Sequence, residues 1–156
     1  MEVNMSVIKK ILPYLLAIFI AYVFLKYLPY KFAKGSHLFQ VLEDWSGIAS
    51  FEPYGRYLTG GAELLACILL FVPRLQVLGG LLSLGLMSGA IFFHVFTPLG
   101  IDPYNDGGKL FKQAVGVWFS GLIIIYIRRT EFISLLKYLI TDPKYLITDP
   151  KMSNHM

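Results

Sequence analysis

The sequence predicts an all-α protein: a four-transmembrane-helix bundle with a short amphipathic helix in the first outer loop. Composition is the first observation behind this prediction, because 56% of the 156 residues are hydrophobic and 15% are charged, whereas a soluble globular chain is about 25% charged. The second observation is the arrangement of the apolar residues, which form long runs separated by short polar segments. Helices that cross a bilayer require such runs.

The first predicted span covers residues 11–30. Lys9 and Lys10 precede it, as in a signal peptide, but no small-residue cleavage site follows directly, so we interpret it as an uncleaved span. A polar segment comes next. Within its residues 36–45, apolar side chains recur at helical spacing, at Leu38, Val41, Leu42 and Trp45. This spacing predicts a short amphipathic helix that packs on lipid or on the bundle.

Three further spans are predicted at residues 54–72, 75–97 and 109–127. Pro73 and Arg74 lie between the second and third spans, and so short a connection predicts an antiparallel hairpin. In the third span Gly85 and Gly89 form a GxxxG pattern, which lets helices approach closely. We favour tight packing within the bundle over a dimer face, and a homo-oligomer is left open.

The chain is predicted to divide into a transmembrane domain, residues 1–130, and a cytoplasmic tail, residues 131–156. Arg128 and Arg129 are expected to end the fourth helix, with a short interfacial helix after them. The tail contains YLITDPK twice in tandem, over residues 138–151. A repeat this short with a proline in each copy does not build a solenoid, so we interpret it as a duplication without function.

The distribution of Lys and Arg predicts the orientation. One side of the bundle carries Lys9, Lys10, Arg74, Arg128, Arg129 and the basic tail. On the other side, basic residues are offset by acidic ones in the two longer loops. The positive-inside rule then places both termini in the cytoplasm, and the expected location is the bacterial inner membrane. Because the basic residues lie at the ends of spans, the net charge of +4 does not indicate nucleic-acid binding.

Glu63 is the first candidate site residue, because a charged side chain inside a span is costly without a partner or a function. Gly60 and Arg56 share its helix face. His94 of the third span is the second candidate, and side-chain lean brings it toward the depth of Glu63. We therefore predict one outward-facing polar pocket in which Glu63 and His94 hydrogen-bond directly or through one water.

Other polar residues fall at a similar depth in the remaining spans: Lys26, Lys112 and Gln113. Together with Arg56 and Gly60 they complete the predicted pocket. The alternative is that these groups pair with one another or reach the headgroups and only fix the helix register. The single cysteine, Cys67, excludes an intramolecular disulfide, and no spacing predicts a metal site. The sequence assigns no catalytic residue.

The order of these segments resembles the DoxX-like membrane family. The resemblance rests on KFAKGSH after the first span, on YGRYLTGGAELLACILLFVPRLQVLGGLLSLGLMSGAIFFH, and on a fourth apolar helix behind a short polar loop. It covers about residues 11–129 and, carried over by position, indicates Gly60, Glu63 and His94. It implies a four-helix inner-membrane protein; relatives similar to DoxD form a subunit of thiosulfate:quinone oxidoreductase, and others accompany oxidative-stress enzymes.

Two functions of different class follow. The first is a non-catalytic component or assembly partner of a membrane redox system, embedded in the lipid bilayer beside a membrane or redox protein. The second is a quinone-interacting subunit of a membrane oxidoreductase, for which quinone is the implied cofactor. The 12 Phe and 10 Tyr residues suit a quinone but are also expected in any such bundle. A metabolite carrier is disfavoured, because the chain lacks two matching halves with broken helices.

Overall fold

The structure is a computed structural model that describes residues 5–33 and 35–140. Within these residues the protein is helical and contains no strand, as predicted. The helices are α1 Met5–Phe32, α2 His37–Ser46, α3 Arg56–Phe71, α4 Gln76–Phe96 and α5 Lys109–Ile140. A short helical turn, Phe51–Gly55, leads directly into α3. Most of the duplicated YLITDPK sequence lies outside the described residues.

The four long helices form a ring in which α1 contacts α3 and α5, and α4 contacts the same two helices. Their shared core is apolar and includes Ile20, Phe24, Leu70, Val117 and Ile124. The outer surface is also apolar: it exposes large side chains such as Leu15, Ile18, Leu65 and Ile68. Several polar side chains are instead buried, among them Arg56, Glu63 and His94. An apolar outer surface around buried polar groups indicates a lipid environment.

Three helices in the described part of the chain are long and apolar enough to cross a membrane: Val7–Phe32, Gln76–Phe96 and Lys109–Glu131. They indicate a membrane protein. α3 has 16 residues, a length of about 24 Å at 1.5 Å per residue, whereas the hydrocarbon layer is about 30 Å thick. The predicted count of four spans therefore stays a prediction.

The fourth predicted span differs from the structure at its end. We expected Arg128 and Arg129 to stop the helix, but α5 continues without interruption to Ile140, so that expectation was wrong. No glycine or proline occurs between Leu122 and Ile140, and arginine itself has a high helix propensity. An ion pair also bridges this segment, with Arg128 Nη1 2.6 Å from Glu131 Oε1. The predicted boundary at residue 130 thus lies inside one helix.

The amphipathic segment is helical, as predicted, over His37–Ser46. Leu42 is buried, whereas Trp45 is 47% exposed, so the apolar face only partly contacts the bundle. Gly47 ends the helix in the left-handed conformation, with its N–H donating to the Glu43 carbonyl at 2.8 Å. The Glu43 carboxylate also accepts a hydrogen bond from the Glu52 backbone N–H at 3.0 Å. This bond fixes α2 beside the 51–55 turn.

Glycines determine how closely α4 approaches its neighbours. A Cβ atom at Gly79 would lie 2.7 Å from the Leu70 backbone nitrogen, so α3 and α4 touch near the turn that joins them. Gly85 and Gly89 lie further from that turn, and a Cβ atom there would meet no described atom within 4 Å. The expectation that these two glycines pack tightly within the bundle was wrong. α3 and α4 instead separate as they leave the turn.

A cavity between the helices as the candidate site

The separation of α3 and α4 leaves a cavity of about 890 Å³ among the four long helices. α2 and the 51–55 turn cover one end of it, through Leu38, Leu42 and Phe51. An aromatic contact holds this cover in place, since the rings of Phe51 and Phe93 meet edge to face at 5.8 Å. Most of the lining is apolar, and the charged or titratable side chains among the lining residues are Lys26, Tyr27, Tyr30, Lys31, Glu63, His94 and Tyr104.

The exposed residues of the lining show where the cavity opens. Leu58 of α3 is 75% exposed, and Leu81 of α4 is 37% exposed. Both line the cavity, and they lie on the two helices that separate. Gly85 and Gly89 also line it and place no side chain across the gap. The cavity therefore opens sideways between α3 and α4, toward the apolar outer surface. It also opens beside Lys26, Tyr30 and Tyr104, which line the cavity and are exposed as well.

Glu63 lies in the cavity wall and forms a buried ion pair with Lys31 of α1. Its Oε1 lies 2.5 Å from Lys31 Nζ, with side-chain exposures of 4% for Glu63 and 18% for Lys31. Gly60 allows α1 to approach α3 closely enough for this pair to form, because a Cβ atom there would lie 3.2 Å from Lys31 Cβ and 3.1 Å from the Phe32 ring. The second carboxylate oxygen, Oε2, is buried and has no hydrogen-bond partner among the described residues. Such an orphaned acceptor is costly unless something donates to it.

His94 also lines the cavity and is 4% exposed. Its Nδ1 lies 2.6 Å from the Gly100 carbonyl oxygen. A carbonyl only accepts, so Nδ1 carries the proton, and in the neutral ring Nε2 is then an acceptor. The Phe111 ring packs against the imidazole at 5.8 Å. His94 and Glu63 do not bond to each other directly, since each has a different partner. The other form of the predicted contact, a link through one water, stays a prediction.

Arg56 does not line the cavity. It is 2% exposed and joins three parts of the fold. Nε and Nη2 donate to the Glu52 carboxylate over 2.6–2.9 Å. Nη1 donates to the carbonyl oxygens of Lys31 and Ala33, both at 2.5 Å. The guanidinium thus binds the last carbonyls of α1 to the start of α3, which is a structural role and not the predicted pocket role.

The remaining predicted residues fall at different places. Lys26 lines the cavity but is exposed, with Nζ 5.2 Å from the centre of the Tyr27 ring. Gln113 stands behind the wall, where its Oε1 accepts a hydrogen bond from the Tyr27 hydroxyl at 2.5 Å. Lys112 is exposed and is not among the lining residues. The structure therefore brings Glu63, His94 and Lys26 to one cavity and leaves Arg56, Gly60, Lys112 and Gln113 outside its lining.

Sequence reasoning missed Lys31, which is the partner of Glu63. We ended the first span at residue 30 and assigned Lys31 to the polar segment that follows, but α1 continues to Phe32. A signal was present in the sequence, because Lys31 follows Phe24 and Tyr27 at helical spacing. Extending that face by one turn would have placed a cation opposite Glu63.

The described residues contain no group of three or more His, Cys, Asp or Glu side chains that could hold a metal ion. Comparison of the chain with protein-family models, with curated proteins and with solved structures finds no match. Membership of the DoxX-like family accordingly stays a prediction made from the sequence.

Proposed function

We propose that this protein is a DoxX-like protein of the bacterial inner membrane that crosses the bilayer four times and holds a small amphiphilic molecule in its cavity. In this proposal it serves as a non-catalytic component or assembly partner of a membrane redox system. The cavity is the observation that carries the ligand-binding part. The redox setting is supported by the family resemblance alone.

The size of the cavity and the buried charges in its wall favour a bound ligand. Protein interiors are packed at the density of organic crystals, with few voids larger than a water molecule. A cavity of about 890 Å³ far exceeds such voids and falls in the range of pockets for small molecules. Its wall also contains a buried ion pair, whose charges are costly to desolvate. An ion pair that only fixed helix register would need no such space beside it.

The hairpin of α3 and α4 supports four spans. These helices touch at Gly79 and are joined by a four-residue connection between Phe71 and Gln76, so they share the same depth. The 51–55 turn extends α3 at its other end. A short span of this kind is accommodated by local thinning of the bilayer.

Cysteine labelling tests this topology. Single cysteines at Ser50 and Asn105, in a Cys67→Ser background, should react with a membrane-impermeant reagent added from outside. A cysteine at Arg74 or at Ser153, which lies outside the described residues, should not react. Labelling at position 74 from outside would exclude the four-span arrangement with cytoplasmic termini.

The ligand is tested by retention. The protein is extracted with its lipid in polymer nanodiscs, and bound molecules are identified by solvent extraction and mass spectrometry. Gly85→Phe places a ring in the cavity, because a Cβ atom at Gly85 meets nothing within 4 Å. We expect it to release the ligand. Gly61→Phe is the matched control, since Gly61 is also a helical glycine with open space around it but does not line the cavity. Equal ligand content in wild type and both variants would refute the proposal.

The second candidate function is a quinone-interacting subunit of a membrane oxidoreductase, similar to thiosulfate:quinone oxidoreductase. The aromatic side chains around the cavity favour it: Phe24, Tyr27, Tyr30, Phe39, Phe51, Phe93 and Tyr104. Aromatic rings stack on a quinone headgroup, and the apolar wall of the cavity suits its hydrocarbon tail. Quinone among the extracted molecules would support this candidate. A stable protein partner without any small molecule would support the assembly role.

A further inference from the structure

We infer that the cavity selects a neutral amphiphile whose head group donates hydrogen bonds, such as a long-chain alcohol or phenol. This inference rests on the proposed function, because it names the chemical class of the molecule held in the same cavity. It depends on which polar atoms of the wall still lack a partner and on the charge that surrounds them.

The first such atom is an acceptor. Glu63 Oε1 is occupied by Lys31 Nζ, while the buried Oε2 has no partner among the described residues. A carboxylate oxygen that is cut off from water needs a donor. An O–H group on a ligand supplies one, whereas an ether or carbonyl oxygen brings a second acceptor and would leave both unsatisfied.

The second atom is also an acceptor. The hydrogen bond from His94 Nδ1 to the Gly100 carbonyl fixes the tautomer, so Nε2 of the neutral ring presents a lone pair. His94 and Glu63 both line the cavity. Two groups of the wall therefore accept hydrogen bonds, and a ligand hydroxyl is complementary to either of them.

Three donors of the lining are already engaged. Lys31 Nζ donates to Glu63, and the Tyr27 hydroxyl donates to Gln113 Oε1. The Thr59 hydroxyl donates to the Gly55 carbonyl at 2.7 Å. A head group that only accepts, such as a quinone, would leave Glu63 Oε2 without a donor.

Charge argues against an anionic head group. Among the described residues, Glu63 is the one carboxylate in the lining, and its ion pair compensates the charge of Lys31. A second anion beside Glu63 would meet the repulsion of a like charge in a region of low dielectric. Lys26 also lines the cavity, but its side chain is exposed and its Nζ lies over the Tyr27 ring. It therefore marks the rim and not the buried end.

The hydrocarbon tail of the ligand can reach the lipid through the opening between α3 and α4. The wall between Glu63 and the surface is apolar, and the gap between α3 and α4 lies beside Leu58, Leu81 and Gly85. A hydrocarbon chain attached to a hydroxyl at Glu63 can leave through this gap into lipid. The ligand is thus an amphiphile and not a small polar metabolite.

The test uses a matched pair of probes, para-octylphenol and its methyl ether, which differ only in the hydroxyl hydrogen and one methyl group. The full-length protein is stripped of bound molecules and placed in phosphatidylcholine nanodiscs. Affinity is obtained from the rise of the unfolding midpoint with the probe's mole fraction in the lipid. We expect the phenol to bind about tenfold more tightly than the ether, because the ether leaves a buried acceptor unpaired.

The possible results distinguish a failure of the proposed function from a failure of the preference for a hydrogen-bond donor. If neither probe shifts the midpoint, the cavity holds no amphiphile and the proposed function fails together with this inference. If both probes bind equally, the cavity site stands and the preference for a donor is overturned. Octanoate is the anionic probe, and tighter binding of octanoate than of the phenol would overturn the assignment of a neutral head group.

Glu63→Gln tests the role of Glu63 independently, because it should reverse the preference for the phenol over the ether. Lys31 will keep the amide oxygen as its acceptor, which turns the amide NH₂ toward the position of Oε2 and converts that acceptor into a donor. The phenol should then lose its advantage, and the ether should bind as well or better. Glu131→Gln is the matched control, because it removes a carboxylate paired with Arg128 outside the cavity lining. If Glu63→Gln does not fold, the comparison of the phenol with the ether on the wild-type protein tests the inference by itself. An unchanged phenol preference in a folded Glu63→Gln protein would refute the role of Glu63.

Discussion

Replacing Arg56 with alanine should destabilise the protein more than removal of a half-buried arginine that forms a single ion pair. The guanidinium is 2% exposed and holds Glu52 together with two carbonyl oxygens at the end of α1. Removing one partner of a buried ion pair costs about 3–5 kcal/mol. A chain of this size loses about 2–4 °C of unfolding midpoint per kcal/mol. We therefore expect the midpoint to fall by about 6–20 °C.

Arg128→Ala is the matched control. Arg128 also forms one ion pair within its own helix region, with Glu131, but the two side chains are 18% and 34% exposed. A half-buried pair with a single hydrogen bond costs less to break than a buried guanidinium with several, so its midpoint should fall by less than that of Arg56→Ala. Thermal unfolding in nanodiscs, followed by tryptophan fluorescence at one scan rate, measures both. Trp45 lies in α2, close to the segment that Arg56 holds. Equal losses for the two variants would refute the structural role of Arg56.

Arg56→Lys separates charge from geometry. Lysine keeps the positive charge but has one nitrogen in place of the planar fork. It can reach the Glu52 carboxylate or the α1 carbonyls, but not both sets at once. We expect a midpoint between those of wild type and Arg56→Ala. A midpoint equal to wild type would mean that charge alone accounts for the contribution.

Three further predictions concern other parts of the fold. Gly60→Leu should lower the unfolding midpoint by overpacking α3 against α1, at a cost of about 1–3 kcal/mol, whereas Gly61→Leu, with open space around it, should stay near wild type. Leu42→Asp should speed amide exchange in α2, because Leu42 is the buried residue that holds this helix on the bundle; unchanged exchange would refute that contact. The Asp106 backbone N–H donates to Asp102 at 2.9 Å and lowers the pKa of Asp102. The ionised Asp102 side chain therefore stabilises the loop fully above about pH 3.9, the pKa of an unfolded aspartate, and this stabilisation is lost as the pH falls through the lower pKa of the folded state. Asp102→Asn should abolish this acid dependence, measured by amide exchange.

The helices were predictable because their signals are local. Apolar runs predict α1, α4 and α5, and the spacing of Leu38, Val41, Leu42 and Trp45 predicts α2. The ends of the helices were harder to predict than their central parts. Arg128 and Arg129 have the charge expected at a membrane boundary, but charge does not interrupt backbone hydrogen bonding, and α5 continues past them.

The cavity was only partly predictable, because partners depend on how helices pack. A carboxylate within a span requires a partner, which correctly singled out Glu63 as a buried group. The sequence does not state which cation reaches it, and that choice depends on Gly60, where α1 approaches α3. The same limit applies to Gly85 and Gly89: a small-residue pattern predicts a place where something approaches closely, but not whether that neighbour is another helix or a ligand.

The sideways opening between α3 and α4 has a consequence for how occupancy is measured and controlled. A site that fills from the bilayer responds to the ligand's mole fraction in lipid, which the partition coefficient sets. Each added methylene favours transfer from water to hydrocarbon by about 0.8 kcal/mol, which is about a fourfold gain in membrane concentration. Apparent affinity against total aqueous ligand would therefore rise with tail length even where the wall near Leu58 and Leu81 never touches the extra carbons. The concentration of ligand in the membrane, and not its aqueous concentration alone, would set how many copies of the protein are occupied.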